Sequence, residues 1–264
     1  MRVRIIFILK NKGANLPFHH QFLLAQLIKG IIVRGGAERF YNYNFYNFSG
    51  LKGQTKISRN GLHYFSSRVT LVLSSLNKDF IDFFIKELFK FSQVELGNLL
   101  LTPESVEIEE KPTFAEQNKY ICISPLVLLT PSFNDAEGKR YISPESDDFS
   151  DLLYESTINR MAETGYYDEK QLSSFFKFQL VPDSSYISKI HDSQKKFARI
   201  YPVFDMDVKY EIRGYTFPFT LFAANEVQEF VFTCGLGAFS HKGFGMLDIA
   251  HSDPSSRTKV YEIK

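Results

Sequence analysis

Near the C-terminus the chain reads Gly235-Leu-Gly237-Ala-Phe-Ser-His-Lys-Gly243-Phe-Gly245, four glycines within eleven residues. Glycine tolerates positive φ and, having no Cβ, lets an anion approach backbone N–H groups closely. Ser240, His241 and Lys242 at the tip add a hydroxyl, an imidazole and a positive charge. Such a loop suits phosphate, and it equally suits a tight connection between sheet strands. It is not a Walker loop, because no Gly-Lys-Ser/Thr closes it, and no βαβ unit opens from it as a dinucleotide fingerprint would require. His, Cys, Asp and Glu nowhere fall at metal-ligand spacing, so neither metal nor cofactor is expected.

The other chemistry-bearing residues lie early in the chain. Residues 1–70 hold eleven Lys/Arg against the single acid Glu38, whereas residues 71–170 hold nine bases and nineteen acids, and the whole chain sums to +1. The split gives either one face suited to a polyanion or two halves that neutralise each other. Lys29, Arg34, Arg39, Lys52 and Lys56 of the basic stretch are candidates for binding phosphate or stabilising charge on it. Lys29 and Arg34 equally suit the solvated face of an amphipathic helix. His20 and His241 are the candidates for proton transfer, since imidazole titrates near neutrality. His19 and His20 at a helix start also suit capping or packing. His63 and His191 read as structural, and His251 as part of a polar tail.

Elements must hold these groups in place. Arg2 to Leu9 reads as a buried strand, and apolar spacing from Phe18 to Ile32 predicts a helix that Pro17 opens and Gly35-Gly36 closes. Tyr41 to Ser49 alternates aromatic residues with Asn like a half-exposed strand. Its Phe45 and Phe48 suit the core, while Asn42 and Asn44 stay open to a polyanionic ligand. Strands at Lys56–Ser58 and Arg68–Leu73, a helix from Asp79 to Phe91, and strands at Val106–Glu109 and Tyr120–Ile123 complete a β-α-β-β-α-β order. The second half repeats it with an apolar run from Ser124 to Leu129, a loop at 131–147 and a helix from Asp148 to Met161. Strands follow at Phe175–Val181, Ala198–Tyr201 and Val208–Ile212, then a helix from Phe219 to Phe230 and a strand at Met246–Ile249. The expected fold is α+β, two tandem ferredoxin-like domains at residues 1–123 and 124–264, the second carrying the glycine-rich loop before its last strand. The N-terminal apolar run of five residues is too short for a signal peptide or a membrane span. Cys122 and Cys234 read as buried free thiols, which suits a reducing cytoplasm.

The glycine pattern resembles the C-terminal signature of the CRISPR-associated endoribonucleases of the Cas-six family. Three further landmarks resemble that family in the expected order: Leu16-Pro17-Phe18-His19-His20-Gln21-Phe22 at the first helix, Phe45-Tyr46-Asn47-Phe48-Ser49 on a strand, and Ile121-Cys-Ile-Ser124-Pro125 opening the second half. The resemblance implies cleavage of CRISPR repeat RNA without a metal. A 2′-hydroxyl attacks the adjacent phosphate and leaves a 2′,3′-cyclic phosphate and a 5′-hydroxyl, with guide RNA as the product. Around the site it implies, His20, Lys29, Arg39 and Lys52 are the substitute candidates for catalysis. Arg34, Lys56, Gly235, Gly237, Ser240, His241, Lys242, Gly243 and Gly245 go to RNA binding. Active members usually place a histidine about eleven residues before the strand serine; counting back from Ser49 reaches Glu38, and Lys29 stands where a helix tyrosine is frequent. Two readings therefore remain open, an endoribonuclease and a paralogue or structural subunit that holds RNA without cutting. Partners implied are repeat or guide RNA, other subunits of a CRISPR ribonucleoprotein and a second copy of the chain, with no membrane.

Overall fold

The computed structural model describes residues 1–129, 141–205 and 208–263. Two compact units divide the chain. The first comprises Met1–Lys111, His241–Gly243 and Asp253–Lys264, and the second Pro112–Ser240 and Phe244–Ser252.

The first unit is built on β1 (Arg2–Leu9), where Val3, Ile5, Phe7 and Leu9 are buried on one face. Then come β2 (Asn15–Leu16), α1 (Gln21–Arg34), a 3-10 turn at Glu38–Phe40, β3 (Tyr46–Phe48), β4 (Thr55–Ser58), β5 (Gly61–Tyr64) and β6 (Arg68–Ser75). α2 (Lys78–Leu88), β7 (Val94–Leu96) and β8 (Leu99–Glu109) follow. The antiparallel sheet runs β8-β1-β6-β3. Counting only the strands of the repeat, that is the order 4-1-3-2, the ferredoxin-like arrangement. α2 opens where the Asn77 side chain accepts the Phe80 N–H, and it buries Phe80, Ile81, Phe84, Ile85 and Leu88. Those five recur at i, i+1, i+4, i+5 and i+8, one helical face, each worth about 2 kcal/mol when removed from water.

β9 (Gln117–Cys122) opens the second unit, followed by α3 (Phe149–Glu163), α4 (Glu169–Ser174), β10 (Phe178–Pro182), α5 (Ser184–Asp192), β11 (Ala198–Asp205) and β12 (Val208–Tyr215). β13 (Pro218–Ala223), α6 (Asn225–Cys234) and β14 (Leu247–Ile249) complete it, while β15 (Thr258–Val260) returns to the edge of β8 in the first unit. Its sheet runs β10-β13-β9-β14. Numbered within the repeat this is again 2-3-1-4, so the same fold occurs twice. α3 turns Phe149, Leu153, Thr157 and Met161 inward at four-residue spacing.

The structure corrects several sequence expectations. Tyr120–Ile123, expected to close the first half, lies largely in β9, which pairs with β13 and β14 of the second unit. The predicted helix from Phe219 to Phe230 is a strand and then a helix. Phe219, Leu221 and Ala223 alternate inward along β13, and α6 begins only at Asn225. The aromatic-Asn run from Tyr41 yields just three strand residues, because Phe40 and Tyr43 turn back to pack on the Phe80 ring at 5.4 and 5.0 Å. The first helix starts at Gln21, with Leu16 paired to Leu62 in a strand ahead of it. Residues 130–140 of the loop predicted at 131–147 lie outside the described residues. Both cysteines are buried and outside any disulfide, and no described helix is long and apolar enough to cross a membrane.

Candidate functional site

The nominated catalytic residues all stand in the first unit, at two ends of α1. His20 precedes the helix and Lys29 lies nine residues on, which at 1.5 Å per residue is about 13 Å along the axis. They do not form one centre.

At the far end, the Lys29 ammonium donates to the Tyr41 carbonyl and the Tyr41 hydroxyl donates to the Val33 carbonyl at 3.3 Å. These bonds lace the turn carrying Glu38 and Arg39 back onto the helix. Arg39 caps the Phe40 ring at 4.7 Å and lines a cavity of about 590 Å³ beside Lys78, Asp82, Lys86 and Tyr261. Arg34 instead lies over the Phe91 ring at 4.4 Å. Glu38 is exposed and supplies no imidazole.

At the near end, His20 is 4% exposed. Its Nδ1 lies 3.2 Å from the Pro17 carbonyl, and its Nε2 accepts the Leu51 N–H at 3.1 Å. The tautomer that satisfies both is neutral with the proton on Nδ1. Burial holds the pKa below the usual histidine value, the Pro17 bond opposes that, and neighbouring His19 adds to the lowering. As folded, His20 has neither lone pair nor N–H left for a ribose hydroxyl; it fixes the backbone at Gly50-Leu51-Lys52.

That backbone is the exit of β3, and the structure gathers several nominated residues around it. Ser49 is buried; its hydroxyl donates to the Gly50 carbonyl at 2.7 Å and accepts the Val72 N–H at 3.1 Å. Lys52 continues the pairing, exchanging two 2.8 Å backbone bonds with Thr70. Gly243 abuts the Phe48 ring so closely that a Cβ there would lie 2.4 Å from it. This brings the half-exposed His241 and Lys242, on a short 3-10 turn, to the strand that carries Ser49. Lys56 belongs to the next hairpin and lies 5.1 Å from the Phe65 ring centroid.

In the second unit the glycine loop is largely buried, and its glycines serve close packing. Gly235, Gly237 and Gly245 all have positive φ, at 80°, 78° and 70°. A Cβ would meet the Val127 carbonyl oxygen at 2.4 Å from Gly237 and the Leu236 carbonyl oxygen at 1.8 Å from Gly245. The family landmark Ser124-Pro125 clamps the loop: the Ser124 hydroxyl accepts the Met246 N–H at 2.7 Å and the Pro125 carbonyl accepts the Gly245 N–H at 2.7 Å. Arg160, which sequence reasoning missed, gathers the other side. Its guanidinium donates to the carbonyls of Cys234, Gly235 and Gly237 at 2.9, 2.8 and 3.1 Å and to the Ser240 hydroxyl at 2.7 Å. No local pattern marks it: Arg160 lies beside the inward stripe of α3, next to Met161, and its carbonyl partners are distant in sequence.

The opposed charges of the two sequence halves are partly matched inside the first unit. Arg2 and Arg4 meet Glu109 at 2.8 and 3.3 Å, and Arg68 grips Glu104 through two 2.6 Å bonds. Lys10, Lys12, Lys56 and Arg59 remain exposed in a stretch where Glu38 is the one acid.

Comparison with known proteins accords with this geometry. Residues 108–249 match the family described as CRISPR associated protein Cas6, C-terminal. The "CRISPR-associated endoribonuclease Cas6 1" of Methanocaldococcus jannaschii is 24% identical over 94% of this chain and 92% of its own. The "Putative CRISPR-associated endoribonuclease-like protein Cas6" of Pyrococcus furiosus is 20% identical over 94% of this chain and 98% of its own. A solved structure described as "An RAMP protein binding different RNA substrates" superposes with a TM-score of 0.78 at 19% identity, covering 95% of this chain and 100% of that one. With a matched segment spanning more than half its length and the double ferredoxin-like fold, the chain belongs to the CRISPR-associated Cas6 family.

Proposed function

We propose that the chain binds CRISPR repeat RNA and cuts it to produce guide RNA. Family membership carries this reading, because the curated relatives named as endoribonucleases or endoribonuclease-like align with nearly the whole chain. The chemistry is metal-independent transesterification. The 2′-hydroxyl loses its proton to a base and its oxygen bonds to the neighbouring phosphorus. The bond to the 5′-oxygen breaks, and an acid protonates that oxygen. The β3 exit supplies a candidate for one of the two proton transfers and candidates for charge stabilisation. His241 replaces His20 as the proton-transfer group, since His20 is sealed beneath the strand. Lys52 and Lys242 offer positive charge to the phosphorane oxygens, an electrostatic contribution that grows as water is excluded. Lys29 and Arg39, at the far end of α1, hold flanking phosphates.

A second reading, RNA binding without cleavage, is favoured by one observation: Glu38 stands where a histidine is usual, and that turn carries no imidazole. Incubating the protein in EDTA with labelled repeat RNA separates the two. The expected result is one cut ending in a cyclic phosphate, abolished by a 2′-deoxy group at the cleavage site. His241→Ala is expected to slow it about 100-fold or more, the scale of a lost general acid or base. Salt-sensitive binding with no cut selects the second reading, and absence of binding rejects both.

A further inference from the structure

β2, β5 and β4 form a small three-stranded sheet of their own, separate from the main sheet of the first unit. Its outer strand β4 has no partner on its far side among the described residues, and Lys56 and Ile57 are both exposed, Ile57 to 78%. Arg59 stands at the hairpin turn, also exposed. The loop after β1 is tied to the same sheet: His63 lies 2.8 Å from the Gly13 carbonyl through Nδ1 and 2.8 Å from the Ser58 hydroxyl through Nε2. That places Lys12 beside the hairpin, because Lys56 is the register partner of His63.

The hairpin is held rigidly. Asn15 donates to the Asn60 carbonyl at 2.8 Å across the turn, and the Tyr64 hydroxyl donates to the Leu51 carbonyl at 2.9 Å. Gly61, at φ 124°, sits where a Cβ would lie 2.0 Å from the Leu16 carbonyl oxygen. β5 anchors the hairpin in the core through Tyr64 and Leu62, whereas Lys56, Ile57 and Arg59 of the outer strand and its turn stay exposed.

We propose that this hairpin is a second RNA-contacting surface, one that takes a single-stranded stretch of RNA outside the cut site. The proposal rests on the RNA function above and adds to it a substrate class for a surface the cleavage chemistry does not use. Two observations favour a single strand. Lys12, Lys56 and Arg59 are exposed cations on a stretch of sequence whose one acid, Glu38, is in the turn after α1, which suits a phosphate backbone. The Phe65 ring, 40% exposed beneath Lys56 on one face of the hairpin, and Ile57 on the other face at its open edge offer apolar contact to unstacked bases, which a duplex keeps inside. The plainer role for Lys56, a charge that guards an edge strand against pairing with another chain, leaves Ile57 unexplained, since an exposed apolar residue beside it works against that protection.

The test measures affinity across a salt series for a labelled oligouridylate and for a blunt-ended RNA duplex, while cutting of repeat RNA is followed in the same preparations. Removing two phosphate contacts with Lys56→Gln/Arg59→Gln is expected to reduce the log–log salt slope for oligouridylate by about 1.4. Affinity near 0.1 M salt is expected to fall roughly tenfold or more, with the duplex little affected. Ile57→Ser is expected to weaken oligouridylate binding at unchanged slope. An oligouridylate slope and affinity equal to those of the unmutated chain overturns the inference, as does an equal loss for the duplex. If the unmutated chain cuts its repeat but the variants leave oligouridylate binding untouched, the function stands and the hairpin surface falls. If oligouridylate binding depends on the hairpin but repeat RNA is neither held nor cut, the surface stands and the function falls.

Discussion

The two units share one strand order and carry an extra hairpin at the same topological point, between the second and third strands of the repeat. In the first unit that insertion is β4-β5, in the second it is β11-β12. They are put to different uses. β11-β12 turns Tyr201, Val203 and Ile212 onto Val127 and Phe244, so it helps bury the glycine loop. β4-β5 leaves Lys56, Ile57 and Arg59 in solvent and packs mainly through Tyr64. The same insertion point thus yields a clamp in one unit and an exposed basic finger in the other. The second unit uses Gly235, Gly237, Gly245 and Arg160 to hold a loop still, whereas the first leaves Lys10, Lys12, Lys56 and Arg59 in solvent.

Substitutions in the clamp break this contrast hardest. Gly245→Ala places a Cβ 1.8 Å from the Leu236 carbonyl oxygen at a φ of 70°, and backbone rather than a flexible side chain must yield. The expected loss exceeds about 4 kcal/mol, in the range of the most severe single substitutions, and thermal melting would show it as an unfolded or insoluble chain. Arg160→Met comes next. It keeps an apolar stem but removes the guanidinium that lies over the Phe230 ring at 5.4 Å and strands three carbonyls and the Ser240 hydroxyl, for about 3–5 kcal/mol. A chemical-denaturation midpoint unchanged by Arg160→Met would show that water replaces the guanidinium and that the loop is not clamped through this residue.

The difference between the units also decides what the sequence made legible. Periodicity exposed β1, α2, β6 and α3, because each presents one uninterrupted apolar face to a sheet or helix. It failed at Phe219–Phe230, where a strand with inward Phe219 and Leu221 runs almost directly into a helix with inward Val227 and Phe230, and the joint pattern mimics one long helix. α4 and α5 bury no residue and so carry no apolar stripe to read. At the candidate site, the glycine loop was visible as composition, but its cause was not. Spacing shows that glycines are needed and not whether phosphate or a carbonyl such as that of Val127 demands them. Arg160 is seventy-five residues from Gly235, beyond any local pattern. His20 was visible as a residue type, whereas its partners at Pro17 and Leu51 depend on the tertiary path of β3.

His20 gives the smallest of these effects and the sharpest view of the first unit, where structure and surface chemistry meet at one strand exit. His20→Ala leaves the Leu51 N–H and the Pro17 carbonyl without their partner, a loss of about 1–3 kcal/mol. The pH dependence has a definite sign. Burial holds the folded-state pKa below the unfolded value near 6.5, so below that pH the unfolded chain binds a proton that the folded chain resists. His20 therefore contributes full stability above about pH 6.5 and progressively less as pH falls toward its folded pKa. Denaturation midpoints measured from pH 7.5 down to 5 should decline in the parent chain, and that part of the decline should vanish in His20→Gln. A His20→Gln chain that still cuts repeat RNA would confine His20 to positioning the β3 exit. Loss of cutting with folding intact would return it to proton transfer and require the Pro17 and Leu51 bonds to open when RNA binds.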